Sequence, residues 1–259
     1  MTYPRLSAGA FTQLPVRKGR RMRTVVNTAA DGRQMKLADV PGQAIEWQLQ
    51  YTGLSDGELS TLQNFFVAAG GSLTGFTFLD PCGNLLAWSD DLTQPAWQID
   101  PLLSIAGSVG DPTGGANGWH LVNSGAGSQK ISQTLNVPGG YLYCLSVYLR
   151  AATATSLTLS LGANAKTVSV GSVWSRATIS GSSDPSAASV TFSFELPAGA
   201  VVDLFGPQVE PQAAPSAYQC STTGGVYENA RFRDDAFTYT STDVNRHSVT
   251  LNILYANHL

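Results

Sequence analysis

The chain changes composition twice along its 259 residues, near residue 84 and near residue 221, and after the second change it returns to its first character. Before the first break, apolar, aromatic and charged residues are mixed. Between the breaks Gly, Ser, Thr and Ala dominate, with four Lys and Arg against eight Asp and Glu. The outer pieces are too short to fold separately: residues 1–83 hold a few strand-like runs and one helical run, which leaves Trp47 and the apolar helix face with little to cover them. Adding residues 222–259 completes a plausible sheet. The expected organisation is therefore a discontinuous host domain, residues 1–83 and 222–259, interrupted by an inserted domain, residues 84–221. Insertions are tolerated where the points of departure and return lie close together.

That demand places Cys82 and Cys220 near each other. A disulfide needs Cα atoms within about 7 Å, whereas a reducing cytosol keeps thiols apart, so the sequence leaves the bond open. With Cys144 they match no CxxC spacing and are too few for a cysteine zinc site, so all three are expected as small buried hydrophobes.

Local patterns in the outer pieces are specific. Ile45, Trp47, Leu49 and Tyr51 alternate with Glu46, Gln48 and Gln50, the period of a strand with one face on a core. Asp31-Gly32 between two strand-like runs predicts a hairpin. Ser55-Asp56-Gly57-Glu58 forms a capping box, Leu59, Leu62, Phe65, Phe66 and Ala69 fall on one helix face, and Gly70-Gly71 supplies a left-handed stop. RFRDDAFTYTST and NRHSVTLNILY read as strands, the latter alternating through His247, Val249, Leu251 and Ile253.

The middle piece reads as short strands: KISQTLNV, YLYCLSVYLR, SLTLSLG, AKTVSVG, SRATIS, SVTFSFEL and VVDLFGPQVE, bounded by Gly, Pro, Asn or Asp. Regular short strands without helices predict a sandwich or jelly roll. The fold class is mainly β: a β-barrel or sandwich host with one α-helix, plus an inserted jelly-roll sandwich.

Two resemblances follow from these residues. WQLQYTGLSDGELSTLQNFFVAAGGSLTGFTFLDP resembles distal tail proteins and related minor tail proteins at the tail tip of long-tailed phages. The inserted piece resembles the jelly-roll carbohydrate-binding modules of phage tail and adsorption proteins, through NLLAWSDDLTQPAW with an expected N-L-L strand, YCLSVYLRA, WSRATI and FGPQVEPQAAPSAYQ. The first resemblance implies a homo-oligomeric ring, hexameric or trimeric, between tail tube and tail hub proteins in the virion. The second implies an outward module that meets host-surface glycans. A closed ring pairs two different patches on each subunit at a fixed rotation.

Sugar rings present apolar C–H faces, so aromatic planes beside hydrogen-bonding groups are the expected contacts. If Tyr143, Leu145, Val147 and Leu149 face the core, Tyr148 and Arg150 look outward and become candidates. Trp119 joins them after the glycine-rich loop GSVGDPTGGANG, while Trp97 and Trp174 are expected in the core. Arg17, Lys18, Arg20, Arg21 and Arg23 form a basic run that lacks the interleaved aromatics of a single-strand nucleic-acid binder. Subunit contacts or solvated charge are expected there, with Asp234 and Asp235 as partners. Similar modules hold structural calcium, for which Asn84 and Asp203 are the candidate ligands.

Enzymatic chemistry and other partners find little support. His120, His247 and His258 lie in no H-E-x-x-H, G-x-S-x-G or P-loop motif. Asp90-Asp91 and Asp234-Asp235 are adjacent, which in a strand sends them to opposite faces, and Asp203 with Glu195 is the one acid pair left open for a glycosidase. A net charge of -3 argues against nucleic acid or anionic membrane as the main partner. No apolar run is long enough to span a bilayer, and the N-terminus lacks the pattern of a signal peptide. The expectation is a non-enzymatic protein without a cofactor, made in the cytosol.

Overall fold

The computed structural model describes residues 1–39 and 42–256. The first elements are β1 (Val16–Arg21), β2 (Thr24–Thr28), β3 (Gln34–Ala38), β4 (Ala44–Leu54), α1 (Asp56–Ala69) and β5 (Phe76–Leu79). The middle holds β6 (Gln98–Ile99), β7 (Leu103–Val109), β8 (Gly118–Asn123), β9 (Gln129–Leu135), β10 (Tyr143–Arg150), β11 (Thr155–Leu161), β12 (Asn164–Val170), β13 (Ser175–Gly181), β14 (Val190–Leu196) and β15 (Val201–Glu210). Last come β16 (Val226–Phe232), β17 (Tyr239–Asp243) and β18 (Arg246–Ala256). The chain is mainly β with a single α-helix among the described residues.

Two compact units divide the chain. The first comprises Met1–Ser7, Thr12–Phe78 and Tyr227–Leu259, the second Ala8–Phe11 and Leu79–Val226. In the first unit a sheet runs β1-β4-β18-β16-β5, with β17 also on β18. Its central pair joins the two distant parts of the sequence, since Trp47 lies opposite Ile253 and Leu49 opposite Leu251. Trp47, Leu49 and Tyr51 are buried on one face while Glu46, Gln48 and Gln50 are half-buried on the other, as the alternation requires. The helix lays Leu59, Leu62, Phe66 and Ala69 into this core, where Phe66 and Phe76 each meet Phe232 at 4.9 and 5.0 Å between ring centroids. Gly70 and Gly71 both take φ of 63°, the left-handed conformation that ends the helix.

The capping box forms at the helix start. Glu58 N donates to Ser55 Oγ, and Ser55 N donates back to Glu58 Oε2. Ser7 adds its hydroxyl at 2.6 Å and its amide at 3.1 Å to Glu58 Oε1. The Ser7 hydroxyl bond, with the Ser55 contacts and against partial burial, lowers the Glu58 carboxyl to about 2. A depressed folded-state value contributes stability above the unfolded value, and this is lost as the pH falls from about 4.5 toward 2. Glu58→Gln is therefore expected to melt below the parent at pH 7 and together with it near pH 2, by circular dichroism. Solvent keeps the gap small because the group is mostly hydrated.

The second unit is a jelly-roll sandwich of two five-stranded sheets, β13-β10-β15-β8-β7 and β12-β11-β14-β9-β6. Tyr143, Leu145, Val147 and Leu149 of β10 face Leu157, Leu159, Phe192 and Phe194 of the opposite sheet, all buried, with the Tyr143 and Phe192 rings at 5.8 Å. β7 and β8 were not expected as strands. Conversely, the expected N-L-L strand is absent: residues 84–87 run without regular structure, held by Leu85 N on Val209 O and by Asn84. Cys144 is buried, Cys82 half-buried and Cys220 exposed, so the expectation of buried cysteines holds for one of three.

Candidate functional site

The outer face of the β10-β15-β8 region brings polar and aromatic side chains together. Alternation turns Ser146, Tyr148 and Arg150 of β10 away from the core, and Asp203 and Phe205 of β15 with them. Register then builds a row across three strands, with Arg150 opposite Asp203 and Asp203 opposite His120. Asp203 Oδ2 accepts from Arg150 Nε at 2.9 Å, and Oδ1 meets His120 Nδ1 at 2.7 Å. The Arg150 guanidinium lies over the Trp174 ring, 4.7 Å from its centroid. Trp174 stands just before β13 and is half-exposed. It was expected in the core, but the short β12–β13 connection puts it beside the outer face.

One half of this face is closed by the chain itself. Residues 211–221 fold back over it: Ser216 N donates to Glu210 Oε2 at 2.9 Å, Gln219 N to Gln208 Oε1 at 2.7 Å, and Arg176 to Ser216 O. Tyr218 packs edge-on against Phe205, its ring centroid at 5.1 Å, and its hydroxyl reaches Ser89 and Asp90. Gly206 takes φ of 63° with the Tyr218 ring 3.0 Å from where a Cβ would stand, so the closure needs glycine there. Tyr148 lies at the margin, half-buried, with the Arg176 guanidinium 5.2 Å over its ring.

The other half stays open. A groove of about 480 Å³ is lined by residues 152–155, which follow β10, and 198–201, which lead into β15. Trp174, Arg150, Asp203 and His120 form a connected, part-exposed set on this outer face. Together they offer an aromatic plane, N–H donors and a carboxylate held by two partners, a set suited to hydroxyl-rich ligands.

The remaining candidates lie elsewhere. Trp119 pairs with Leu204 and shares the face of buried Leu121, so it points away from Arg150; its Nε1 donates to Asp90 O at 3.1 Å. Calcium is not supported at the expected residues. Asn84 Oδ1 accepts from Leu86 N and Val209 N, and its Nδ2 donates to Pro207 O and Gln219 O. Asp203 precedes Pro207 by four residues, roughly 13 Å along a strand, and is already engaged by Arg150 and His120. Among the described residues no group of three or more His, Cys, Asp or Glu could hold a metal. Asp203 and Glu195 lie on different sheets and share no cleft.

Expected pairings in the first unit also change. Arg17, Lys18, Arg20 and Arg21 fall on β1, a sheet edge. Arg21 pairs with Glu46 at 2.5 Å and Arg23 with Asp39 at 3.2 Å. Asp234 instead accepts from Asn252 Nδ2 at 3.0 Å, and Asp235 from Ser72 N and Oγ. Both acid pairs, Asp90-Asp91 and Asp234-Asp235, lie in turns and loops, so the strand argument for them does not apply. His247 has partners that the sequence did not reveal: Nδ1 meets Ser241 Oγ at 2.9 Å and Nε2 meets Asp56 Oδ1 at 2.6 Å. With Asp56 72% exposed, this chain is a strap between β17 and the helix start. His258 lies outside the described residues.

No family model matches the chain, and no curated protein matches it. Among solved structures it is similar to the C-terminal family 22 carbohydrate-binding module of Clostridium thermocellum Xyn10B, at 14% identity and a TM-score of 0.43, over 53% of this chain and 99% of that one. A family 61 module solved with β-1,4-galactotriose follows at 14% and 0.38, over 50% and 99%. The enzymatically active domain of bacteriophage CBA120 tailspike protein 4 gives 13% and 0.38, over 51% of this chain and 22% of that one. At this level of similarity none of them assigns a role to a residue of this chain.

Proposed function

We propose that the chain is a non-enzymatic structural protein of a phage tail tip, forming a ring through its first unit and binding host-surface glycans through its second. The observation that carries the glycan reading is the open row Trp174, Arg150, Asp203 and His120. The half-exposed indole of Trp174 offers an apolar plane to the C–H face of a sugar ring, while the guanidinium and imidazole N–H groups can donate to hydroxyls. The ring reading is supported by the tail-protein resemblance of residues 47–81.

Glycan-array binding followed by calorimetry tests the site. Trp174→Ala is expected to weaken binding of a captured glycan roughly tenfold, about 1.4 kcal/mol, with Trp119→Ala unchanged because that indole faces the other way. Equal loss in both variants would sink the assignment. Silence on a broad array would favour a module that decorates the ring without binding, a reading that the self-closed half of the face supports.

A further inference from the structure

The row Trp174, Arg150, Asp203 and His120 is unequal in what it offers a ligand. Asp203 is the one acid bonded to Arg150 among the described residues, and it takes a donor on each oxygen, Arg150 Nε at 2.9 Å and His120 Nδ1 at 2.7 Å. Its side chain is 17% exposed, against 32% for Arg150 and 44% for His120, so it is the most hidden of these three. The carboxylate thus holds the guanidinium from its Nε side and keeps little for a ligand hydroxyl. A binding group locked by a neighbour in this way keeps its geometry when a ligand arrives.

Arg150 keeps the other end of its guanidinium free. Nη1 and Nη2 have no hydrogen-bond partner among the described residues, and neither is among the buried side-chain atoms left without one, so both reach solvent. The Trp174 ring, its centroid 4.7 Å from the guanidinium carbon, supports the group from a second direction. Two N–H groups fixed in one plane match the two oxygens of a carboxylate, in a charge-assisted pair of bonds each roughly twice as strong as a neutral one. A single hydroxyl oxygen cannot reproduce that pair. Residues 84–221 carry four Lys and Arg against eight Asp and Glu, and two of the four cations, Arg150 and Arg176, stand on the outer face of this one sheet. Arg176 is turned to Ser146 Oγ and Ser216 O, which leaves Arg150 as the cation open to a ligand. An exposed charge more than about 8 Å away is largely screened at physiological salt, so preference is set where the ligand touches the guanidinium.

We infer that this row selects acidic glycans: the carboxylate of a uronic or sialic acid unit takes both Nη groups of Arg150, while the half-exposed plane of Trp174 meets the C–H groups beside it. Neutral sugars lose the paired, charge-assisted contact and bind more weakly. The inference rests on the glycan reading above and names its substrate class.

Calorimetry of the full chain with matched pairs tests it: sialyllactose against lactose, and a glucuronate oligosaccharide against the glucose oligosaccharide of the same length. The acid member of at least one pair is expected to bind roughly tenfold more tightly than its neutral partner. Arg150→Lys keeps the charge and loses the paired N–H groups, so it should bring the two members within about twofold of each other, with circular dichroism melts confirming the fold. If that variant melts early, Arg150→Gln replaces it with the same expectation. A neutral member bound as tightly as its acid partner, or in its place, overturns acid selection, and its weakening by Trp174→Ala leaves the glycan reading standing. An acid preference that survives in a folded Arg150 variant overturns the paired contact. If no acid probe and no array glycan binds, the glycan reading falls and this inference falls with it.

Discussion

Trp47→Ala is expected to lower the stability of the first unit by about 4 kcal/mol, the cost of removing a large buried aromatic with little collapse of the site. Trp47 is 1% exposed, and its ring lies 5.0 Å from Phe78 and 4.9 Å from Tyr227. Because Trp47 pairs with Ile253, the cavity opens where the N-terminal and C-terminal parts of the unit are joined. Chemical denaturation should show an earlier transition assigned to this unit, with the other transition unmoved. A shift below about 1 kcal/mol would mean that the indole is not sealed in as described.

Asn84→Ala should cost the second unit about 3 kcal/mol, because one buried carboxamide serves four backbone groups. Asn84 is 3% exposed, and truncation leaves two N–H donors and two carbonyls of residues 86, 207, 209 and 219 to find other partners. Asn84→Asp separates the two halves of this role. A carboxylate can still accept from Leu86 N and Val209 N, but it cannot donate to Pro207 O and Gln219 O. This variant should be nearly as unstable at neutral pH and recover as the acid protonates and regains a donor. Equal behaviour of Asn84→Asp at all pH values would show that the donor half carries nothing.

Local patterns were legible from sequence, and patterns that depend on register were not. The capping box, the double-glycine stop, the face of β10 and the alternation in β4 and β18 are each written in a few consecutive residues. The row on the outer face is not: Asp203 lies 53 residues after Arg150 and 83 after His120. Without β8 recognised as a strand, the parity of Trp119 could not be fixed, and it was placed on the binding side. β8 escaped notice because Gly118, Trp119 and His120 open it with no clean alternation. Trp174 looked like core because its strand-like neighbours gave no hint that the guanidinium of Arg150 would support it from outside. Asn84 became a candidate metal ligand through the resemblance alone. A buried oxygen needs partners, and sequence does not distinguish a cation from two backbone amides.

The pairing of β4 with β18 also sets an order of events during synthesis. About 190 residues separate the two strands, so at roughly 5–20 residues per second a ribosome that has finished β4 works for some 10–40 s before supplying its neighbour. All strands of the sandwich emerge within that interval and can close on one another. The earlier half-sheet meanwhile waits with an open seam, and it is during this wait that a chaperone would have its use.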